Sequence, residues 1–291
     1  MTKTQVTGPT VLRMILGRQL QALREKAGMS YDEAAEAICT SSHTVRRMER
    51  NEGGLKPLTV KATLQAYGVT DPAEIKSFLD LARQASTPGW WHDYGDVLPG
   101  WFSLAVGLEE AAAMIRGYDP QAVPGLLQTP GYARAIIRTG FPDATGEEIE
   151  RRVSLQVARQ QILARPSPPR LWAVIDEAAL RRPAATTGPQ VMREQIDHLI
   201  DAAARPDVTL QILPFSAGLH PAMVGPFRLF RFAADQPDIV CCESLTGAQY
   251  LDKPDETTRY TQILDRVSAQ AAPPADTPAV LREIRKEIPN P

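Results

Sequence analysis

The sequence predicts two folded regions of different class: an N-terminal all-α region of five helices, followed by an α+β region with a small mixed sheet flanked by helices. Three observations support this division. Residues 11–85 show only helical periodicity and helix-capping patterns, whereas the later sequence alternates helical stripes with short apolar runs typical of strands. A stretch of Ser, Thr, Pro and Gly near residues 85–89 separates the two regions, and 291 residues suffice for two hydrophobic cores.

The first two helices are predicted from an apolar stripe and a capping pattern. Apolar side chains recur at helical spacing over residues 11–26, and Gly28 follows as a typical residue beyond a helix C-terminus. Ser30 and Glu33 form a capping-box pattern, which predicts that a second helix begins at Tyr31. The apolar face of this second helix is narrow and built from small residues, so another helix can approach it closely.

A third helix is predicted directly after the second, with a tight turn between them. Ser41 is a suitable N-cap, and Val45 and Met48 lie on the face that should be buried. The opposite face carries hydroxyls, an imidazole and guanidiniums, which suit phosphates and base edges in a DNA major groove. The outward residues are Ser42, His43, Arg46, Arg47 and Arg50. The alternative is an ordinary helical hairpin with a solvated charged face.

Two further helices complete the first region. Residues 58–67 form an amphipathic pattern that ends at Gly68, and Asp71 caps a fifth helix with Pro in its first turn and Glu74 at its third position. Five helices in so short a stretch, of which the second and third form a helix-turn-helix, resemble the Cro/C1 (Xre-type) repressor domain. The resemblance covers residues 11–85.

The resemblance implies roles for individual residues. The base-reading positions of that family fall on Ser42, His43 and Arg47, and its ion pair between the first and third helices falls on Arg24 and Glu49. The N-terminus of the second helix is expected to meet the phosphate backbone. The full set of expected DNA contacts is Ser30, Tyr31, Ser41, Ser42, His43, Thr44, Arg46, Arg47 and Arg50.

Two residues depart from the family pattern. Cys39 stands where the turn usually has Gly, which predicts that the backbone there avoids a left-handed conformation. Tyr31 replaces the usual Gln, so one phosphate or base contact is expected to be made differently.

The charge distribution predicts that two copies of the first region bind DNA together. Residues 1–87 carry a net charge of +3 and the remainder a net charge of −5. A net charge of +3 is too small for binding to DNA by bulk charge alone. The contacts with DNA must therefore come from the clustered arginines. Two symmetric copies would double the phosphate contacts, and we therefore expect a homodimer on a double-stranded DNA operator.

The region after residue 88 is predicted to mix helices and strands. Helices are expected over residues 108–118, 131–139, 145–163, 189–203 and 255–269, and strands over residues 171–175, 208–213, 227–232 and 239–242. A Pro/Ala-rich linker at residues 271–278 is expected to lead into a short terminal helix at residues 279–288. The predicted domains are therefore residues 1–87, residues 88–270, and the linker with its helix over residues 271–291.

Aromatic residues are concentrated at the start of the second region. Trp90, Trp91 and Trp101 are three of the four tryptophans of the chain. They form either a patch that faces a ligand or partner, or a segment that packs over the core, which is the commoner use of large aromatic side chains.

The remaining sequence features argue against several other classes of protein. No metalloprotease motif, phosphate-binding loop or dinucleotide fingerprint is present, so we expect no catalytic residues, no cofactor and no metal site. No apolar run is long enough for a membrane span and no signal region is found at the start. Cys39, Cys241 and Cys242 lack a metal-type spacing, which favours reduced thiols in a cytoplasmic protein.

Four motifs of the second region resemble one particular group of regulators. They lie in order at residues 123–134, 175–181, 213–220 and 225–227, and begin with Val-Pro-Gly-Leu-Leu-Gln-Thr-Pro-Gly-Tyr-Ala-Arg. They look like the regulatory domain of actinobacterial Xre-type regulators of the WhiJ kind. These proteins are often encoded beside a small partner protein, in an antitoxin-like arrangement, and the resemblance implies no catalytic residues.

The sequence therefore predicts a dimeric, sequence-specific transcriptional regulator, of the repressor type, whose second domain binds a small partner protein encoded nearby. Two alternatives remain. In the first, the second domain binds a metabolite and so controls DNA binding, which a pocket lined by polar groups and by Trp90, Trp91 or Trp101 would favour. In the second, the protein is an enzyme with an attached DNA-binding module, which titratable groups converging around Asp176 or His220 would favour.

Overall fold

The computed structural model describes residues 9–50, 56–86, 89–182, 188–232 and 237–289, and the chain divides into two compact units, residues 1–92 and 93–291. Within the described residues, the first unit consists of five α-helices and the start of a short 3-10 helix at Trp90–Tyr94. The α-helices are α1 (Pro9–Lys26), α2 (Tyr31–Ala37), α3 (Ser42–Glu49), α4 (Pro57–Ala66) and α5 (Pro72–Ala85). The predicted all-α fold of the first region is confirmed.

The core of the first unit draws on all five α-helices. Its apolar side chains come from positions that the helical stripes and the small-residue face of α2 had marked as inward. They include Leu16 and Leu20 of α1, Ala34 and Ala35 of α2, Val45 and Met48 of α3, Val60 and Leu64 of α4, and Phe78 and Ala82 of α5. Because α3 has only eight residues, its position depends on this packing rather than on its own helical stability.

A glycine in α1 lets this helix lie directly against the C-terminal end of α3. A Cβ atom placed on Gly17 would lie 2.6 Å from the backbone oxygen of Glu49 and 2.9 Å from that of Met48. Both distances are shorter than the van der Waals contact distance between a carbon and an oxygen atom. Any larger residue would therefore push the two helices apart.

The second unit is an α+β structure built on one sheet, which confirms the predicted fold class. Its helices are α6 (Gly100–Ala111), α7 (Pro130–Gly140), α8 (Gly146–Gln160), α9 (Glu177–Arg181), α10 (Gly188–Ala203), α11 (Pro254–Gln270) and α12 (Thr277–Glu287). Its strands are β1 (Met114–Asp119), β2 (Arg170–Asp176), β3 (Val208–Leu213), β4 (Phe227–Arg231), β5 (Ile239–Ser244) and β6 (Gly247–Leu251).

The sheet is parallel on one side of β1 and antiparallel on the other. The strand order is β3-β2-β1-β4-β5-β6. Strands β1, β2 and β3 are parallel to one another. On the other side of β1, each strand is antiparallel to its neighbour, from β1 and β4 to β5 and β6. Helices α7 and α8 carry the chain from β1 to β2, and α9 and α10 carry it from β2 to β3. Consequently the carboxyl ends of β1 and β5 and the amino end of β4 lie at the same edge of the sheet.

Helix α11 covers one face of the sheet. Alternate strand residues, among them Tyr118, Val174, Leu229 and Val240, share a core with Leu264 and Val267 of α11. On the same face, Arg116 of β1 donates to Asp265 of α11 at 2.6 Å. Because side chains alternate along a strand, Asp119, which follows Tyr118, points to the opposite face.

The helix predicted over residues 108–118 is wrong. Helix α6 ends at Ala111, and residues from Met114 form the central strand β1. This strand has neighbours on both sides and is buried on both faces, so its sequence lacks the alternation of apolar and polar residues that marks a half-exposed strand. Strand β6 was not predicted, because it lies at the edge of the sheet with no fully buried residue.

The Pro/Ala-rich stretch at residues 271–278, expected as a linker, packs against β3. The backbone N–H of Ala272 donates to the oxygen of Ile212 at 2.9 Å, and the hydroxyl of Thr277 donates to the oxygen of Leu210 at 2.6 Å. These two hydrogen bonds carry the chain into α12, which buries Leu281 and packs beside α10.

Candidate nucleic-acid interface

Side-chain caps fix the starts of both helices of the helix-turn-helix. The Ser30 hydroxyl accepts the backbone N–H of Glu33 at 3.2 Å, and the Glu33 carboxylate accepts the N–H of Ser30 at 2.7 Å, so the expected capping box is present. These hydrogen bonds to the carboxylate lower the pKa of Glu33. The Ser41 hydroxyl accepts the N–H of Thr44 at 3.2 Å and hydrogen bonds to its hydroxyl at 2.9 Å.

The turn between α2 and α3 is left-handed at Cys39, so the expectation that the backbone would avoid this conformation is wrong. Cys39 has φ of 53°. Its N–H donates to the oxygen of Glu36 at 3.1 Å, and that of Thr40 donates to the oxygen of Ala35 at 2.9 Å. This is the hydrogen-bond pattern of a Schellman motif, which requires a left-handed residue at the position after the C-cap. The turn keeps the geometry that Gly would give it, with the steric penalty of a side chain.

Helix α3 presents the predicted polar face to solvent. Val45 and Met48 are buried below it. Of the expected contact residues on this helix, Ser42 and Thr44 are half-buried, and His43, Arg46 and Arg47 are exposed. The flanking Ser30, Ser41 and Arg50 are exposed as well. The hydroxyls of Ser30 and Ser41 are used in capping. The groups that reach outward are therefore the imidazole and the guanidiniums of this surface.

A buried ion pair joins α1 to the end of α3, as the resemblance implied. Arg24 and Glu49 are only 6% and 5% exposed, and two parallel hydrogen bonds of 2.8 and 2.9 Å link the guanidinium to the carboxylate. The guanidinium also donates to the backbone oxygen of Met29 at 2.9 Å, and the hydroxyl of Tyr67 lies 3.5 Å from Glu49. The hydrogen bonds to Glu49 raise the pKa of Arg24.

Tyr31 connects the buried ion pair to the exposed face. The guanidinium carbon of Arg24 lies 4.0 Å from the centre of the Tyr31 ring, and that of Arg46 lies 4.8 Å from it. Both distances are typical of cation–π contacts. The aromatic ring that stands in place of the usual Gln therefore positions Arg46 at the surface of the helix-turn-helix.

Asp176 and His220 converge on one tyrosine in the second unit. The Tyr118 hydroxyl donates to Asp176 at 2.9 Å and lies 3.2 Å from Nε2 of His220. The other oxygen of Asp176 accepts the N–H of Ala178 and caps α9 at 2.9 Å. Both carboxylate oxygens of Asp176 are thus used within the fold, and burial followed by the hydrogen bond to Asp176 raises the pKa of Tyr118. The cluster ties the segment around His220 to β1 and β2.

The tryptophans and cysteines singled out in the sequence differ in their burial. Trp91 is buried, and Trp90 and Trp101 are half-buried. All three cysteines are free, and burial raises the pKa of Cys241 to about 12, which keeps its thiol protonated. Among the described residues, no group of His, Cys, Asp and Glu is arranged to hold a metal ion, and no helix combines the length and apolar character needed to span a bilayer.

Sequence reasoning missed two contributors to the interface. Gly17 is a glycine inside a helical stripe, where the residue is unfavourable, and that mismatch is the available signal for a close helix contact. Tyr67 closes over Glu49 from the end of α4, and burial raises the pKa of its hydroxyl. Nothing in the spacing of the sequence points to this second contact.

Two family models match the chain. One is described as Helix-turn-helix domain and matches residues 15–78, from α1 into α5. The other is described as Domain of unknown function (DUF5753) and matches residues 102–283, which is more than half of the chain and runs from α6 into α12. No curated protein and no solved structure matches.

Replacing Glu49 with Ala should destabilise the first unit by about 3–5 kcal/mol, because the substitution leaves the Arg24 guanidinium buried without its partner. Thermal and urea unfolding of the full chain would measure this loss. The matched control is Asp80→Ala, which breaks the exposed pair with Arg83 and should change stability by less than about 0.5 kcal/mol. Equal effects of the two substitutions would show that the buried pair does not hold α3 in place.

Proposed function

The chain belongs to the family defined by the DUF5753 domain of unknown function, and we propose that it is a sequence-specific, DNA-binding transcriptional regulator whose second unit receives the regulatory signal. The helix-turn-helix domain supports a DNA-binding regulator. The observation that carries the proposal is the position of α3. Its buried side is locked to α1 through Arg24 and Glu49, while its other side exposes His43, Arg46 and Arg47.

In this proposal α3 lies in the major groove and α2 meets the phosphate backbone. Arg47 and His43 read base edges, and Ser42 contacts a base near the start of the helix. Arg46, held beside the ring of Tyr31, and Arg50 contact phosphates. The N-terminus of α2, capped by Ser30, is the end of this helix that faces a phosphate in the proposed complex.

Replacing Arg47 with Ala should relax sequence discrimination and weaken binding to the specific site by about 1–3 kcal/mol, since one bidentate base contact is lost. His43→Ala should likewise change base preference more than it changes the salt dependence. Both are measured by titrating the variants with a selected operator and with random DNA at several salt concentrations. Lys61→Ala, an exposed cation on α4, is the control. Equal losses on specific and random DNA would assign Arg47 to a phosphate instead.

We propose further that the protein acts as a dimer on a two-fold symmetric operator. A single α3 offers few base contacts, and a region with a net charge of +3 neutralises few phosphates. Two copies related by a two-fold axis would contact half-sites about one helical turn apart, roughly 34–36 Å.

A dimer predicts two measurable quantities for the full chain. One chain has a mass of 31.9 kDa, and sedimentation should give twice this mass. The DNA complex should contain two chains per operator. Footprinting should show two protected half-sites about ten base pairs apart, and inserting about five base pairs between them should abolish cooperative binding because the second α3 would face the wrong side of the helix. A monomer with full operator affinity would contradict the dimer.

The second unit is proposed to bind a small partner protein encoded nearby, in the antitoxin-like arrangement of the WhiJ-kind regulators. The segment between β3 and β4 supports this proposal, because four large apolar side chains on it are exposed to solvent. They are Phe215, Leu219, Met223 and Val224, with exposed fractions from 60% to 86%. Soluble proteins rarely expose this many apolar side chains on one short segment unless they bind something there.

Replacing Leu219 and Val224 with Ser should abolish capture of a partner encoded by a neighbouring gene, because the apolar contact area is lost while the fold is unaffected. The measurement is co-purification of the tagged full chain with each neighbouring gene product, followed by titration. Leu58→Ser is the matched control, since Leu58 is equally exposed but lies on α4 of the first unit. Partner binding that survives the double substitution would exclude this segment as the binding surface.

A second candidate function is that of a metabolite sensor, in which a metabolite bound to the second unit controls DNA binding. A polar cavity in the second unit supports it, although Trp90, Trp91 and Trp101 do not line this cavity. Both candidates describe a cytoplasmic binding protein of the repressor type, without catalysis, cofactor or metal. Tyr118, Asp176 and His220 do converge, which is the arrangement expected of the enzyme alternative. We propose a binding function nevertheless, since both oxygens of Asp176 already accept hydrogen bonds, one from Tyr118 and one from the N-terminus of α9.

A further inference from the structure

A cavity of about 270 Å³ opens at the sheet edge where the strand pairing changes from parallel to antiparallel. Its floor is the end of β1 and the start of β4, and its walls come from α7, α8 and the chain after β1. In sheets with parallel strands, ligands commonly bind outside the carboxyl ends of those strands, and β1 contributes such an end here. The volume suits a small molecule of about the size of a single aromatic ring with a short side chain.

The charged groups at the floor carry one negative charge too many. Asp119 and Glu243 both pair with Arg228, whose guanidinium lies 3.4 Å from Asp119 and contacts Glu243 directly. The side chains of Asp119 and Arg228 are only 10% and 17% exposed. Two carboxylates against one guanidinium leave an excess of one negative charge in a poorly solvated place, which favours a cation and disfavours an anion.

The second ion pair beside the cavity does not cancel this excess. Arg159 of α8 donates to both oxygens of Glu109 of α6, at 2.7 and 3.0 Å, and both side chains are buried. Arg159 also donates to Gln156 at 2.6 Å. Its charge is therefore already balanced, and the unbalanced charge belongs to Asp119 and Glu243.

Two glycines shape the cavity. A Cβ atom on Gly117 of β1 would lie 3.3 Å from the Arg228 side chain and 3.5 Å from the Asp119 carboxylate, so the glycine makes room for both at the floor. A Cβ atom on Gly125 would lie 2.5 Å from Nε2 of Gln156. This amide nitrogen is buried and has no hydrogen-bond partner among the residues that the structure describes, so it is available to donate to an acceptor in the cavity.

The rest of the lining combines the amides of Gln121 and Gln128 with apolar side chains. Phe102, Val123, Ile136, Ile137 and Pro226 form the walls opposite the charged floor. The cavity thus offers an acidic floor, one unused amide donor and an apolar wall.

We propose that this cavity binds a small amphipathic amine, whose ammonium group contacts the Asp119 oxygen that Arg228 does not bind, near Glu243, and whose apolar body packs against Phe102 and Ile137. An acceptor on the amine receives the Gln156 amide. The binding site stands independently of the DNA-binding role, and only its regulatory consequence rests on the proposed function.

Protons compete with the amine for the same position. Burial, together with the charges of Glu243 and Glu109, outweighs Arg228 and raises the pKa of Asp119 to about 6. The other ionisable groups that face it are Cys241 and the balanced Arg159. Above pH 6 the ionised Asp119 favours a bound cation; below pH 6 a proton takes that place, so the affinity for an amine should fall as the pH falls.

The test is calorimetric titration of the full chain with three probes of equal shape: phenethylamine, phenethyl alcohol and phenylacetate. Phenethylamine should bind saturably, at least about tenfold more tightly than the other two. Its affinity should fall about tenfold between about pH 7.5 and pH 5. At about pH 6 its binding should release about half a proton per amine, seen by comparing buffers of different ionisation enthalpy. Equal binding of the alcohol, tighter binding of phenylacetate, or no binding of any probe would overturn the proposal.

Variants locate the site. Asp119→Asn and Glu243→Gln should each weaken phenethylamine at least about tenfold, and unfolding curves would establish that both variants fold. Asp265→Asn is the matched control, because it also removes a carboxylate paired with an arginine, but on the opposite face of the sheet; it should leave the affinity unchanged. An equal loss in the control would overturn the assignment to the cavity.

Operator binding of the same full chain, measured with and without phenethylamine, separates this proposal from the proposed function. Amine binding without any DNA binding would overturn the regulator and leave the cavity assignment supported. DNA binding by a chain that binds no amine would overturn the cavity assignment alone.

Discussion

The first unit depends on the contact between α1 and the C-terminal end of α3. Two residues of α1, about two turns of helix apart, act on the same residue: Gly17 lets the backbone of α1 reach the oxygen of Glu49, and Arg24 binds the carboxylate of Glu49. Burying such a pair is unfavourable unless its hydrogen bonds are satisfied, and here the backbone of Met29 and the hydroxyl of Tyr67 complete them. The short helix that carries the candidate DNA contacts is therefore fixed by its end, which leaves its outer face free for recognition.

The first unit was predictable because its signals are local. Capping residues such as Ser30 and Ser41 act within one turn, and each predicted helix start lies where its cap stands. Cys39 shows the limit of this reasoning. Its identity argued against a left-handed turn, yet the Schellman hydrogen bonds and the packing of α2 against α3 impose one. Tertiary packing, and not the residue type, determines the backbone conformation at Cys39.

The second unit was predictable in class but not in detail, for a physical reason. Strand β1 is central and buried on both faces, so Ile115 and Tyr118 give no alternation to read, and its preceding apolar residues extend the pattern of α6. The polar floor of the cavity was not predictable at all. Asp119, Arg228 and Glu243 are far apart in sequence and meet only because β1, β4 and β5 are neighbours in the sheet. The candidate DNA contacts, by contrast, lie within one short stretch of chain.

The two surfaces of the second unit that bear on its candidate functions are connected through one stretch of chain. The exposed apolar segment follows β3, and it is tied to β1 and β2 where His220 meets Tyr118. It ends at Pro226, which lines the cavity immediately before β4. The apolar side chains from Phe215 to Val224 are therefore anchored to the same sheet edge that forms the cavity floor. In this arrangement a partner protein and a small ligand are not independent alternatives, because a ligand that contacts Pro226 acts on one end of the segment that the partner would contact.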